Sequence, residues 1–406
     1  MKYDVVIIGA GASGLVTAIV SARQGKKVLV LEKNSKIGKK LLATGNGKCN
    51  ITNQRPTLER YYSKNPKFIA QVFDGYNYQR VKQFFKSIGL ELIEAKEGKV
   101  FPMSLQASSV VELLVAECEQ LGVKIISKTE VTDIYKLNNG YKIIHTFGVE
   151  KVNSLVIATG HISAPQLGGV DSGLTFAKKM GHRVIKSFPT LVQLISPMKN
   201  LKEMAGVKVE SKVTLRLKNG KRVEKRGDVL FTSYGISGLA ILDISRFVME
   251  ELLSNKKVIL EIDLMPKMSR EQLFSLMKKS LVKKSSKPLE IWLQGFINKK
   301  LISPILKSLK LEDETVGWLL SNIKNLEKIV DKIKLFNFEI NGSRGYKGAE
   351  VATGGVDTRE INPNTMESKK YKNLYFTGEV VDVDGDRGGF NLHFAWVSGL
   401  RAGEAL

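Results

Sequence analysis

The hydrophobic and polar positions along the chain fall first into a strand pattern at residues 4–8, apolar from Val5 to Ile8, then a glycine turn, Gly9-Ala10-Gly11-Ala12-Ser13-Gly14. Apolar positions at helical spacing follow (Leu15, Val16, Ala18, Ile19, Ala22), up to Gly25. A second apolar run at 28–31 ends on Glu32. This order predicts a strand, a turn, a helix and a strand closed by an acid, the pattern of a dinucleotide-binding βαβ unit. Gly9 permits a tight turn. Gly11 removes a Cβ where a pyrophosphate must approach, and Gly14 lets the helix pack against the strand. The helix N-terminus, with Ala12 and Ser13 in its first turn, directs N–H groups and a partial positive charge at phosphates. Glu32, 18 residues after Gly14, can accept hydrogen bonds from an adenosine ribose and would repel a 2′-phosphate; Lys33 follows it.

Further along, a glycine-rich loop covers 38–53, and helical patterns run over 66–89 and 108–121. A β-rich stretch covers 124–150, with Val131 counted among the cofactor-binding positions and a hairpin turn signal at Asn138-Asn139-Gly140. Another apolar strand, 152–157, runs into Ala158-Thr159-Gly160, where the chain is expected to return to the pyrophosphate side of the sheet. From about residue 190 the pattern changes to alternating strands, with Asn219-Gly220 as a turn, and over 268–334 to short basic amphipathic helices with Trp292 and Trp318 as expected core anchors. Near Phe336 strands and glycine turns resume, ending in a last helix at 391–402. The expected organisation is therefore α/β: a discontinuous Rossmann-like domain at 1–189 and 336–406, an inserted β-rich domain at 190–265, and a helical subdomain at 266–335.

The C-terminal pattern bears on which dinucleotide is bound. A short apolar strand at 373–377 leads into Gly378-Glu379, a pattern that resembles the one by which flavoproteins place a carboxylate near the ribityl chain of FAD. NAD has no such chain. Gly388-Gly389-Phe390-Asn391-Leu392-His393 then opens the last helix, whose N-terminal N–H groups can face the edge of an isoalloxazine that becomes negative on reduction. FAD is thus the expected cofactor. No second strand–GxGxxG–helix unit is visible, so NADH or NADPH, if it is the electron donor, must bind in the cleft over the flavin.

Several runs carry a family resemblance. They are Leu42-Ala43-Thr44-Gly45-Asn46-Gly47-Lys48-Cys49-Asn50-Ile51-Thr52-Asn53, Val100-Phe101-Pro102, Ile157-Ala158-Thr159-Gly160, Phe231-Thr232 with Gly235-Ile236-Ser237-Gly238, Ala352-Thr353-Gly354-Gly355-Val356, Phe376-Thr377-Gly378-Glu379 with Asp382-Val383-Asp384-Gly385, and Gly389-Phe390-Asn391-Leu392. Over essentially its whole length the chain resembles the bacterial NAD(P)/FAD-dependent oxidoreductases of the aminoacetone-oxidase-like kind, a family that includes a bile-acid steroid reductase. The resemblance implies a glutathione-reductase-type FAD fold with an inserted β domain and a helical subdomain. It implies hydride transfer between flavin and a small organic substrate, at a C=C bond or a C=N/amine. It does not imply one substrate. The chain departs from the family at Thr232-Ser233, at Arg387, at His393 and at His161-Ile162-Ser163-Ala164-Pro165.

The loop with Lys40, Thr44, Gly45, Asn46 and Asn50 is expected to wrap the pyrophosphate and approach the flavin. Cys49 either faces the flavin or packs. Cys118, 69 residues away, cannot join it in a local dithiol pair and is read as core. His393 is the candidate proton donor, against the alternative of a packing histidine. Arg387 either binds an anionic substrate group or pairs with Asp384 or Asp386. His161 is read as packing or approaching the cofactor, and His145 and His182 as surface. No metal-ligand spacing occurs.

Composition adds three constraints. The 406 residues leave room for two or three domains. Two cysteines, no apolar run near the ~18 residues of a membrane span and no room for a leader before the nucleotide motif point to a cytoplasmic protein away from membranes. The formal net charge is +23, and residues 199–226 are the densest stretch, with ten basic and three acidic side chains. The alternatives are a solvated lysine-rich surface, the reading favoured here, so that no nucleic-acid partner is expected, and an RNA-directed flavoenzyme. A non-catalytic flavin module is a third reading. The sequence leaves the oligomeric state open.

Overall fold

The computed structural model describes residues 2–255, 257–282 and 285–406. The chain divides into two compact units: one takes the chain up to Phe188 and again from Glu350 to Leu406, the other spans Pro189–Ala349.

The first unit is built on a five-stranded parallel sheet, in the order Leu374–Phe376, Ser154–Ile157, Val5–Ile8, Val28–Leu31, Lys124–Ile126. Val5–Ile8 and Val28–Leu31 are apolar at every position because both faces of the sheet are covered, as parallel strands require. The helices Ala12–Arg23 and Phe390–Ala405 pack on one another there. Two glycines make that contact possible: a Cβ at Gly399 would lie 2.7 Å from Ser13 O, and one at Gly403 2.6 Å from Val20 Cβ. A three-stranded antiparallel sheet, Val131–Lys136, Tyr141–His145 and Gly148–Val152, branches from this layer.

The second unit is a seven-stranded antiparallel sheet, whose long hairpin is Lys208–Arg216 with Arg222–Thr232. The helix Leu239–Leu252 lies against it through Ala240, Ile241, Ile244 and Val248. The amphipathic helices Arg270–Lys279, Lys299–Leu309 and Ile323–Lys334 share the same hydrophobic core as the sheet, so the β-rich and helical stretches form one unit rather than two. The return to the first unit also falls later than residue 336. Phe336–Ile340 pairs antiparallel with Val258–Asp263 and buries alternate residues in the second core, so the chain crosses back near 350. Trp292 is core, whereas Trp318 sits at its margin.

Two histidines expected at the surface are buried. His182 lies under Phe376 with Nε2 2.7 Å from Ser368 Oγ, and the His145 side chain is inward on its strand. His145 shares a strand face with the buried Tyr141 and Ile143, an alternation the sequence holds, whereas the cover of His182 comes from the distant Ser368 and Phe376. Among the described residues no helix is long and apolar enough to cross a membrane.

Candidate functional site

The opening turn places each glycine differently. Gly9 has φ +108°, and a Cβ there would lie 2.5 Å from Ala158 O. At Gly14 a Cβ would lie 2.0 Å from Gly9 O. At Gly11 nothing stands within 4 Å of the Cβ position: the space is open. Gly11 is also the N-cap of Ala12–Arg23 and supplies no capping side chain, so the first-turn N–H groups of the helix have no intrahelical acceptor. An open space facing orphan donors at the positive end of a helix is a cradle for phosphate.

Glu32 is buried and held from two sides. Its Oε2 accepts from Ala10 N at 2.8 Å, and its Oε1 accepts from Asn34 N and Asn34 Nδ2 at 2.7 Å each. A carboxylate oxygen has two lone-pair sites, so this scaffolding leaves capacity for ribose hydroxyls. Lys33 turns to solvent and pairs with Glu130 at 2.7 Å, and Val131 is buried at the start of its strand.

A second group closes the cradle. Lys40 Nζ donates to Glu379 Oε2 at 2.7 Å and to Ser163 Oγ at 2.5 Å. A Cβ at Gly160, the end of the Ala158-Thr159-Gly160 turn, would lie 4.0 Å from Glu379 Oε2. Gly378 passes so close to the first helix that a Cβ there would meet Ser13 Oγ at 2.6 Å. Beside them His161 has a defined tautomer. Its Nδ1 accepts from Ile162 N at 2.7 Å, so Nε2 carries the proton and donates to Ser187 Oγ at 2.9 Å. Burial pushes this imidazole's pKa down. Ser163 lies in the stretch 161–165 where the chain departs from the family, and its contact with Lys40 follows only from the fold.

The loop at 44–50 is set by its backbone. Gly45, Asn46 and Cys49 all have left-handed φ, at 57°, 56° and 55°. Thr44 Oγ1 donates to Leu41 O at 2.7 Å, and Asn50 Oδ1 accepts from Val100 N at 3.3 Å, so both side chains hold the loop itself. Gly45 and Asn46 are exposed. Cys49 does not face open space: it is fully buried, and burial pushes its thiol up to about 12. It packs, as does Cys118.

The last helix starts against this loop. Gly389 is its N-cap with φ 97°, and a Cβ there would lie 2.4 Å from Thr52 O. Asn53 Nδ2 donates to Gly388 O at 3.2 Å. The first-turn N–H groups of Phe390, Asn391 and Leu392 thus form a second set of orphan donors. The Phe390 side chain is buried between Tyr61 and the Arg60 guanidinium. The Asn391 amide accepts from Gly385 N at 2.7 Å and donates to Gly385 O at 2.8 Å, which pins the preceding loop.

His393 lies in the core rather than on the open side of the helix. It is fully buried, its Nδ1 is 2.8 Å from Thr52 Oγ1, and its ring packs edge-on against Phe73. Burial pushes its pKa down to about 3. Arg387 is half-buried, and with Arg60 it adds to the field, led by Lys99, that lowers the Glu97 pKa. Asp386 accepts from Arg60 Nε at 2.6 Å and from Tyr62 OH at 3.0 Å. Among the described residues no group of three or more His, Cys, Asp or Glu is placed to hold a metal.

The model of the HI0933-like protein Rossmann domain matches residues 3–405. The chain belongs to this family. It is 34% identical to the 3-dehydro-bile acid delta(4,6)-reductase of Clostridium scindens, over 98% of both chains. It is 35% identical to the ribosomal RNA dihydrouridine synthase of Haemophilus influenzae, over 97% of this chain and 96% of that one. It is 32% identical to the ribosomal RNA dihydrouridine synthase of Escherichia coli, over 100% of this chain and 98% of that one. As a member of the HI0933-like family the chain is a flavin-dependent oxidoreductase with an FAD-binding Rossmann fold. The open space at Gly11, the two sets of helix N-terminal donors and the Lys40–Glu379 pair fit that cofactor.

Proposed function

We propose that this protein reduces a C=C bond conjugated to a carbonyl, that its substrate is a uracil base in RNA, and that NADH or NADPH supplies the electrons. FAD, when bound, supplies the hydride chemistry. In this reading the N–H groups after Gly11 hold the pyrophosphate and Glu32 the adenosine ribose. Lys40 and Glu379 fix the middle of the dinucleotide. The N–H groups of Phe390, Asn391 and Leu392 face the edge of the ring system where negative charge develops. His393, neutral and enclosed, has no part as a proton donor, and this role is not assigned to another residue.

The bond type is supported by the relatives. A 3-dehydro bile acid with delta(4,6) unsaturation and a uridine share a C=C bond in conjugation with a carbonyl, despite their different sizes. The observation that carries RNA over a small enone, against the expectation of no nucleic-acid partner, is the nearly full-length match to two ribosomal RNA dihydrouridine synthases, and the charge agrees with it. The second unit alone holds 30 Lys and Arg against 17 Asp and Glu, a net of +13 within the chain's +23. Ion pairing cannot reduce a net charge, and an excess of this size attracts polyanions. The match to the bile-acid reductase supports a second reading, a small conjugated enone. Anaerobic incubation of the flavin-loaded protein with NADPH and unmodified ribosomal RNA, followed by nucleoside mass spectrometry, tests the first. Dihydrouridine is the expected product. Unchanged uridine together with reduction of a steroid dienone would move the assignment to the second.

A further inference from the structure

The stretch richest in basic residues is partly paired with acids of its own sheet. On the long hairpin of the second unit Lys208 pairs with Asp228 at 2.7 Å, Lys212 with Glu224 at 3.8 Å and Arg216 with Glu261 at 2.6 Å. Lys267 and Lys334, from the segment that follows, pair with Glu210 and Asp263 of the same sheet.

The three-stranded sheet of the first unit is different. Its inner face buries Ile134, Tyr141, Ile143 and Val152. Its outer face carries a cross-strand row in which Tyr135 pairs with Lys142 and Lys142 with Lys151. Two lysines directly opposite one another repel, and neither has a carboxylate partner among the described residues. The nearby Asp133 is occupied by Lys179 at 3.0 Å and Tyr135 OH at 3.0 Å. That face exposes large apolar groups, Tyr135 at 48% and Val149 at 50%, and Phe147, at the turn joining the last two strands, is 68% exposed. The Lys142 Nζ stands 5.9 Å from the Tyr135 ring centroid.

We propose that this outer face is a docking surface for a single-stranded segment of RNA, a proposal that rests on the RNA reading above. A partner with planar rings and regularly spaced anions relieves both costs of the surface at once. Its bases cover Tyr135 and Phe147, and its phosphates neutralise Lys142 and Lys151. A duplex keeps its bases stacked inside and offers the aromatic side chains nothing. Three strands at about 4.8 Å spacing give a platform about 10 Å wide, which suits a short run of unstacked nucleotides.

The test is fluorescence anisotropy of a short labelled oligouridylate with the flavin-loaded protein, over a salt series, for wild type, Tyr135→Ala/Phe147→Ala and Lys142→Glu/Lys151→Glu. None of the four side chains is buried, so flavin content and its reduction by NADPH serve as the folding control. The aromatic pair is expected to weaken single-strand binding about tenfold or more and to leave duplex binding unchanged. The charge pair is expected to reduce the salt slope by more than about 1. Equal affinity and slope in all three proteins overturns the surface and leaves the RNA reading standing. Sensitivity to the charge pair without sensitivity to the aromatic pair shows a general polyanion surface and also overturns it. A wild type that does not bind single-stranded RNA overturns both. Variant-sensitive binding without dihydrouridine formation overturns the proposed reaction alone.

Discussion

Two helices in this protein begin on a glycine and leave their first-turn N–H groups without intrahelical acceptors, one after Gly11 and one after Gly389. They differ in where their neighbours come from. Around Gly11 the decisive atoms belong mainly to residues 9–34: Gly9 O stands against Gly14, and Ala10 N and Asn34 hold Glu32. Around Gly389 they come from over 300 positions earlier: Thr52 O against the glycine, Thr52 Oγ1 and Phe73 against His393. The first start is a local backbone device, and the second is an assembly of distant segments. Only the first can be read from adjacent residues.

The contrast can be broken most severely at Gly14. Gly14→Ala drives a Cβ into Gly9 O, a backbone atom that cannot yield, and should cost about 4 kcal/mol, at the top of the range for single substitutions. Gly389→Ala combines left-handed strain with a contact to Thr52 O and should cost about 3 kcal/mol. Gly11→Ala meets nothing, so the stability of the cofactor-free protein should change by less than about 0.5 kcal/mol while FAD affinity falls about 100-fold. Denaturant unfolding and flavin absorbance per mole of protein separate the three. A Gly11→Ala protein that keeps full flavin would remove the pyrophosphate from that space.

Acid sharpens the comparison at the second helix. His393 has a folded pKa of about 3, against an unfolded value of about 6.5. Between these limits the unfolded chain binds the extra proton, so stability present above pH ~6.5 declines as pH falls and levels off only below the folded value. His393 alone should cost about 2 kcal/mol by pH ~5, and buried His161 and His182 act in the same direction. His393→Gln should flatten the pH dependence of unfolding between pH ~7 and ~5; an unchanged slope would mean that the imidazole is not enclosed. The smallest effect concerns Cys49. With both thiols buried and pushed up to about 12, neither should react with a thiol reagent until the chain unfolds.

Periodicity and glycine spacing were enough to place the parallel sheet, the opening turn and the return at Gly160 and Gly378-Glu379. Those features depend on backbone conformation and on burial of both sheet faces, which leave a mark on each residue locally. What escaped was decided by partners. His393 reads as a flavin-side histidine until Phe73 and Thr52 enclose it, and Ser163 has no signature until Lys40 reaches it. Phe336–Ile340 reads as the return to the first domain until its pairing with Val258–Asp263 is known. Charge is the sharpest case: the densest basic run of the sequence is partly neutralised across its own sheet, while Lys142 and Lys151, spaced apart in sequence, face each other with no carboxylate partner among the described residues.

The most direct test of the account is an anaerobic one. The protein is purified with its flavin, reduced with NADPH, freed of excess donor, and mixed with unmodified ribosomal RNA while the flavin absorbance is followed. The account predicts that the oxidised-flavin absorbance returns in proportion to the dihydrouridine formed. A protein that purifies without flavin, or whose absorbance returns only when oxygen is admitted, would contradict it.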